Sequence, residues 1–133
     1  EIKNANKFLD RLYTVYGTII EGKKVGREIG FPTANLKISD KQQILPKVGV
    51  YSVNFTIGGT KHNALCNIGY RPTFEKNGKL SIETYIVDFD KFDFYGTEVS
   101  IEFKDFIRDE KKFSNKEKLI KQIKADLEFS FVK

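Results

Sequence analysis

The sequence predicts a mainly β fold, a closed or nearly closed antiparallel barrel of about six strands with one α-helix packed outside it. Phe and Tyr are interleaved with β-branched residues along most of the chain, a composition that favours strands. Apolar and polar residues alternate in short segments, and only the last segment changes to a helical period. At 133 residues the chain has the size of one ordinary domain.

The strand pattern is clearest over residues 50–57, where aromatic and aliphatic side chains alternate with Ser, Asn and Thr. The two glycines that follow, at positions 58 and 59, predict a tight hairpin turn into the next strand. Residues 97–106 alternate in the same way, and we expect Val99, Ile101 and Phe103 to point inward. The other predicted strands are residues 13–21, 32–38, 61–68 and 80–87.

The C-terminal segment predicts a helix. Ser114 is a candidate N-cap, and Glu117 three residues later completes a capping box. Apolar residues from Leu119 to Leu127 then follow helical spacing, which predicts an apolar stripe that packs on the strand layer. Residues 3–10 are weakly helical, so we expect a linker or short helix over residues 1–12 and one domain over residues 13–133.

Composition limits the class of protein. The net charge is +5 and the lysines are scattered, which indicates a solvated surface and no nucleic-acid partner. No apolar run is long enough for a transmembrane helix, so we expect no membrane partner. Cys66 is the only cysteine, which excludes an intramolecular disulfide and favours a cytoplasmic setting. Met is absent even from position 1, so we expect an excised or processed part of a longer protein.

The segment from Gly26 to Leu36 has the strongest functional signal. Thr33 and Asn35 stand two positions apart on a predicted extended segment, so both side chains face the same side. Their oxygens suit phosphate groups and a hard cation such as Mg²⁺, and the glycines allow the backbone to approach a ligand closely. The alternative is a tight turn that enters a strand, with both side chains bonded to local backbone.

Glu83 lies in the middle of a predicted strand, where a carboxylate is disfavoured. The alternation places it with Ser81 and Tyr85 on the face opposite the apolar residues. The carboxylate is a solvated charge if that face is open to water, and it is suited to accept a hydroxyl proton if the face lines a cleft. Arg108 precedes the helix and forms either a local salt bridge with a neighbouring acidic residue or a contact to an anion or planar ring.

Several motifs follow one another in a characteristic order and spacing. They are GREIGFPTANL at 26–36, GVY at 49–51, NIGYRPTF at 67–74, ET at 83–84, DFYG at 93–96 and RDEKKF at 108–113. Together they resemble riboflavin kinase, the kinase module of bacterial bifunctional riboflavin kinase/FAD synthetases. The resemblance covers about residues 13–128.

The resemblance implies a six-stranded antiparallel Greek-key β-barrel with a C-terminal α-helix packed outside. It also implies ATP-dependent phosphorylation of the riboflavin 5′-hydroxyl, which gives FMN and ADP, with Mg²⁺ accompanying ATP as cofactor. The partners would be riboflavin/FMN and ATP/ADP. An N-terminal FAD synthetase (adenylyltransferase) domain would be fused to the module in the full-length protein.

The same resemblance implies roles for individual residues. Thr33 and Asn35 would hold Mg²⁺ and nucleotide phosphates, and Glu83 would be the general base. The ATP- and phosphate-binding segment would also include Gly22, Arg27, Gly30, Pro32 and Tyr95. The flavin would be bound by Glu83, Arg108, Lys111 and Phe113.

The chain departs from the family pattern in two places. Tyr85 stands where the family usually has His, and Asp10 where it usually has Gly. Oxygen ligands of the kind that Thr33 and Asn35 provide discriminate poorly between Mg²⁺, Mn²⁺ and Zn²⁺.

Two other classes of protein compete with the kinase. In a flavin-binding barrel without kinase activity, Thr33, Asn35 and Glu83 would have no assigned function. A nucleic-acid-binding barrel would show a basic stripe with stacking aromatics.

Overall fold

Six antiparallel strands close into a barrel in the computed structural model. The structure describes residue 2 and residues 12–23, 33–40, 42–71, 79–87, 96–111 and 114–131. The elements are β1 (Tyr13–Lys23), β2 (Thr33–Ile38), β3 (Gly49–Ile57), β4 (Thr60–Arg71), β5 (Lys79–Ile86), β6 (Glu98–Arg108) and α1 (Lys116–Phe131). The barrel order is β1-β2-β5-β4-β3-β6, and each neighbouring pair is antiparallel. The predicted mainly β fold with a C-terminal helix is confirmed.

The connections follow a Greek key. Strands β3, β4 and β5 are consecutive neighbours, and β6 then returns to pair with the far side of β3. The turn between β3 and β4 is the predicted pair Gly58 and Gly59, whose φ angles are 58° and 80°. Two successive positive φ angles are typical of the tight hairpin turns that match strand twist, and glycine adopts them without strain.

The barrel interior is filled by alternate side chains of the strands. Val99, Ile101 and Phe103 of β6 are buried, as predicted. Tyr51 of β3 packs edge-on against Phe103, with ring centroids 5.2 Å apart, and its hydroxyl donates to the carbonyl of Lys47 at 2.7 Å. Burying these aromatic side chains stabilises the core, and the polar end of the tyrosine keeps a partner.

Several predicted boundaries were wrong. Strand β4 continues to Arg71, three residues past its predicted end, because each added residue pairs with β5. The helix begins at Lys116, and its N-cap is Asn115 instead of Ser114. The Asn115 side chain accepts a hydrogen bond from the amide of Lys118 at 2.9 Å, which satisfies one of the free N–H groups of the first turn.

The weak helix predicted over residues 3–10 lies outside the described residues. Among the residues that are described, no helix has the length and apolar character needed to cross a membrane.

Candidate active site

Three polar side chains lie in one row on the outer face of the barrel wall. Asn35 of β2 stands directly opposite Glu83 of β5, and Glu83 stands directly opposite Asn67 of β4. Directly opposed residues of antiparallel strands share a face and have Cβ atoms about 4.5–5.5 Å apart. The register therefore brings together the amide and the carboxylate that the sequence singled out, and it adds a second amide.

The neighbours of this row show that it faces outward. Ala34 and Leu36 flank Asn35 and point into the core, as do Ile82 and Thr84 on either side of Glu83. The predicted placement of Glu83 on the face opposite the apolar residues is confirmed. The carboxylate is partly buried, so it lies on a covered part of the barrel wall.

Asn35 is buried although it points away from the core. Its side chain is 5 % exposed, and its Oδ1 has no hydrogen-bond partner among the described residues. The expected alternative, in which this oxygen bonds to local backbone, is therefore not observed. The Oδ1 of Asn67 is also buried without a partner in the described part of the chain. Buried acceptors are nearly always paired, so both oxygens are candidates for a ligand contact.

The structure describes only some of the residues that are expected to bind the nucleotide. The backbone of Thr33 pairs with that of Tyr85, two residues along the strands from Asn35 and Glu83. The backbone of Gly22 in β1 stands opposite Ala34 of β2. The other residues expected to bind ATP and phosphate lie outside the described residues: Arg27, Gly30, Pro32 and Tyr95.

Among the residues expected to bind the flavin, Arg108 fixes the helix to the end of β6. Its Nε donates to both carboxylate oxygens of Asp126, each at 3.1 Å, and its Nη2 lies 3.0 Å from Oδ2. Asp126 is only 4 % exposed and also accepts from Gln122 at 2.9 Å. Lys111 is exposed in the connection that follows, and Phe113 lies outside the described residues.

The connection between β6 and α1 also covers the outer face of β4. A Cβ atom built on Gly69 would lie 1.7 Å from Oε2 of Glu110, so the glutamate rests on a bare stretch of backbone. Oε2 of Glu110 is the third buried oxygen without a partner on this face, among the residues that can be described. Gly69 follows Asn67 by two positions and therefore faces the same side.

Behind the row, the thiol of Cys66 lies inside the barrel opposite Thr84 and is free, as predicted. The pKa of Cys66 is raised to about 12, mainly because the thiol is buried; a hydrogen bond with Thr84 opposes the shift, and the nearby charge of Glu83 adds to it. Thiolates are the reactive form of cysteine, so this residue is inert at neutral pH.

The donor set suits a hard cation that is shared with phosphate. Within the described ranges, no group of three or more His, Cys, Asp or Glu residues could hold a metal ion. The row offers instead a carboxylate and neutral amide oxygens, which are ligands that Mg²⁺ accepts when substrate phosphates complete its coordination. The Oδ1 of Asn35, which has no partner in the described part of the chain, fits this role.

Sequence reasoning missed Asn67, Glu110 and Asp126. Asn67 was predicted within a strand, where it lies, but it was not singled out as a site residue. A polar residue at an outward strand position beside a glycine was the available signal. No local pattern places Glu110 on Gly69 or pairs Asp126 with Arg108, because both contacts join segments that are distant in sequence.

The fold and the row define a small β-barrel that could hold phosphate oxygens and a hydroxyl group side by side on its outer wall. A protein-family model described as "Flavokinase: Riboflavin kinase" matches residues 9–130. The chain belongs to the riboflavin kinase family.

Known proteins similar to the chain include curated and solved examples. A bifunctional riboflavin kinase/FMN adenylyltransferase of Listeria monocytogenes is 44 % identical over 126 residues, which are 95 % of this chain and 40 % of that protein. A solved structure named as a macrolide-efflux protein of Streptococcus pneumoniae has a TM-score of 0.89 and 36 % identity, and the match covers 97 % of this chain and 41 % of that one. Riboflavin kinase from Trypanosoma brucei gives a TM-score of 0.60 at 26 % identity, over 88 % of this chain and 76 % of that one. The chain thus spans about two fifths of the curated relative.

Proposed function

We propose that the chain transfers the terminal phosphoryl group of ATP to the 5′-hydroxyl of riboflavin and releases FMN and ADP. Membership of the riboflavin kinase family supports the reaction class. The observation that carries the proposal is the direct pairing of Asn35 with Glu83, which sets a ligand for the nucleotide side beside a proton acceptor. Phosphoryl transfer depends mainly on such positioning and on charge neutralisation.

Asn35 and Thr33 would bind the nucleotide side. Mg²⁺, when bound, would neutralise charge on the phosphate oxygens. Because both side chains are neutral, the phosphates of ATP must supply most of the attraction for the cation. Position 22 on β1 and the expected ATP-binding positions 27, 30, 32 and 95 would complete the cradle around the phosphates.

Glu83 would act as the general base. Its carboxylate would accept the proton of the 5′-hydroxyl while that oxygen bonds to the terminal phosphorus and the bond to ADP breaks. A positioned base of this kind contributes about 10²–10⁴-fold to the rate. Asn67 and Asn35 flank the carboxylate on both sides, which limits the directions in which it can move.

The flavin would lie against the connection between β6 and α1. Arg108, Lys111 and Phe113 are the residues that we propose for this side. The ion pair of Arg108 with Asp126 supports this arrangement, because it fixes the start of the connection to the helix. We further propose that the chain is the kinase module of a longer bifunctional protein that also carries an adenylyltransferase domain, as the name of the Listeria relative describes for that protein.

The test is incubation with riboflavin, ATP and Mg²⁺, followed by chromatography of the products. We expect equimolar FMN and ADP, and no product when ATP or the metal is omitted. Parallel reactions with Mn²⁺ and Zn²⁺ measure the metal preference. Flavin binding without any product would favour a flavin-binding barrel, and salt-sensitive oligonucleotide binding would favour the nucleic-acid alternative.

A further inference from the structure

Two buried oxygens beside Glu83 have no role in the reaction as proposed. Asn67 Oδ1 lies on the side of Glu83 away from Asn35, and Glu110 Oε2 belongs to the connection above β4. Neither atom has a hydrogen-bond partner among the described residues. An amide oxygen and an ionised carboxylate oxygen accept hydrogen bonds but cannot donate them. A ligand that donates hydrogen bonds to both oxygens would therefore remove the free-energy cost of burying them unpaired.

The two acceptors occupy neighbouring places on the same outer face. Glu110 lies on Gly69, the next outward position of β4 after Asn67. Outward positions two residues apart are separated by about 6.7 Å along a strand. In this arrangement the carboxylate of Glu110 occupies the space that a side chain at position 69 would take, since a Cβ there would lie 1.7 Å from Oε2. One small ligand that reaches Glu83 could contact both acceptors.

The ligand that fits is a chain with several hydroxyl groups. Its terminal hydroxyl would lie at Glu83, and its internal hydroxyls would donate to the neighbouring oxygens. We propose that Asn67 and Glu110 bind the internal hydroxyl groups of the substrate's polyol chain and thereby select a flavin with a hydroxylated chain. This inference rests on the proposed function, since it takes the hydroxyl at Glu83 to be the terminal one of riboflavin.

The experiment compares riboflavin with 10-(5-hydroxypentyl)flavin, which keeps the ring and the terminal hydroxyl but lacks the internal ones. Dissociation constants are measured by quenching of flavin fluorescence. We expect the wild-type protein to prefer riboflavin by about 10²-fold, because the analogue would leave buried polar groups unpaired. Asn67→Ala and Glu110→Ala should each reduce this preference about tenfold by weakening riboflavin binding alone.

Matched controls exist next to both residues. Asn63→Ala and Asp109→Ala change exposed side chains in the same strand and the same connection, and the preference should stay at the wild-type value. If Asn67→Ala does not fold, Asn67→Leu keeps the volume without the acceptor. No preference in the wild-type protein, or an unchanged preference in both folded variants, would overturn the proposal.

FMN formation by the wild-type protein separates the two ideas. If FMN forms normally and the variants keep the wild-type preference for riboflavin, the proposed role of Asn67 and Glu110 is overturned and the kinase function stands. A protein that forms no FMN but loses its preference in both variants overturns the kinase function and supports the acceptor pair.

Discussion

At the scale of single residues, Asn35 and Asn67 on either side of Glu83 each bury an amide oxygen that has no partner among the described residues. An outward strand position normally gives a polar side chain access to water, yet Asn35 is 5 % exposed and its Oδ1 is unpaired in the described structure. Such an arrangement lowers the stability of the free protein by about 1–3 kcal/mol for each unsatisfied group. Local rules of folding are most often broken where a ligand is bound.

Glu83→Gln tests the base. The amide cannot take the hydroxyl proton, so kcat should fall by about 10²–10⁴-fold. The dissociation constant for riboflavin should change little, because glutamine has nearly the same size. Glu98→Gln, which alters an exposed carboxylate at the start of β6, is the matched control. Near-normal turnover in Glu83→Gln would remove this residue from the mechanism.

Asn35→Ala tests the division of the site. Loss of the amide oxygen should raise KM for MgATP by at least about tenfold, as expected for the loss of a ligand oxygen. Riboflavin affinity should remain close to the wild-type value, and steady-state kinetics with each substrate varied in turn will compare the two. Equal losses for both substrates would contradict the assignment of Asn35 to the nucleotide side.

We expect the buried thiol of Cys66 to lower the stability of the folded protein at alkaline pH. Burial raises the pKa of its thiol from 9.0 to about 12, so folded and unfolded chains are both protonated below pH 9. Between pH 9 and 12 only the unfolded chain releases the proton, and stability falls as pH rises. Urea unfolding at several pH values should show a shallower alkaline decline for Cys66→Ala than for the wild type. Parallel declines would show that the thiol does not contribute.

At the scale of elements, strand pairing determines contacts and strand ends that the sequence pattern could not predict. Alternation of apolar residues was enough to predict six strands and the inward face of β6, because burial has a period of two along a strand. The contact between Asn67 and Glu83 depends on the register of β4 against β5, and register is set by the whole barrel. The end of β4 was missed for the same reason, since its last residues are held by their pairing with β5.

Asp126→Asn tests the attachment of α1. The carboxylate is 4 % exposed and binds Arg108, so its removal leaves a mostly buried guanidinium without its counter-charge. Breaking a buried ion pair from one side costs about 3–5 kcal/mol, and we expect a loss near the lower end because Arg108 retains some exposure. Urea unfolding measures the loss, and Glu128→Gln on the exposed face of α1 is the control. Equal stabilities of the two variants would contradict a structural role for the pair.

At the scale of the whole molecule, the barrel joins residues that are far apart in sequence by closing on itself. Strands β1 and β6 complete the circle, and β2 is inserted between β1 and β5 so that Asn35 meets Glu83. The family resemblance predicted this convergence correctly as a Greek-key barrel. Physical patterns alone could not, because strand order depends on long-range pairing and not on local spacing.

The chain as a whole should stop at FMN. The matched family model covers residues 9–130 and describes a riboflavin kinase, whereas the Listeria relative, whose name adds FMN adenylyltransferase, is matched over 40 % of its length. The outer row, with Glu83 as the proposed base and Asn35 proposed for the nucleotide side, suits a single phosphoryl transfer. With riboflavin, excess ATP and Mg²⁺, we therefore expect FMN and ADP to accumulate in equal amounts without FAD or pyrophosphate. Chromatography of flavins and nucleotides over a full time course measures this, with added FMN as the starting flavin in a parallel reaction. FAD in either reaction would show that the 133 residues carry a second, adenylyl-transferring site.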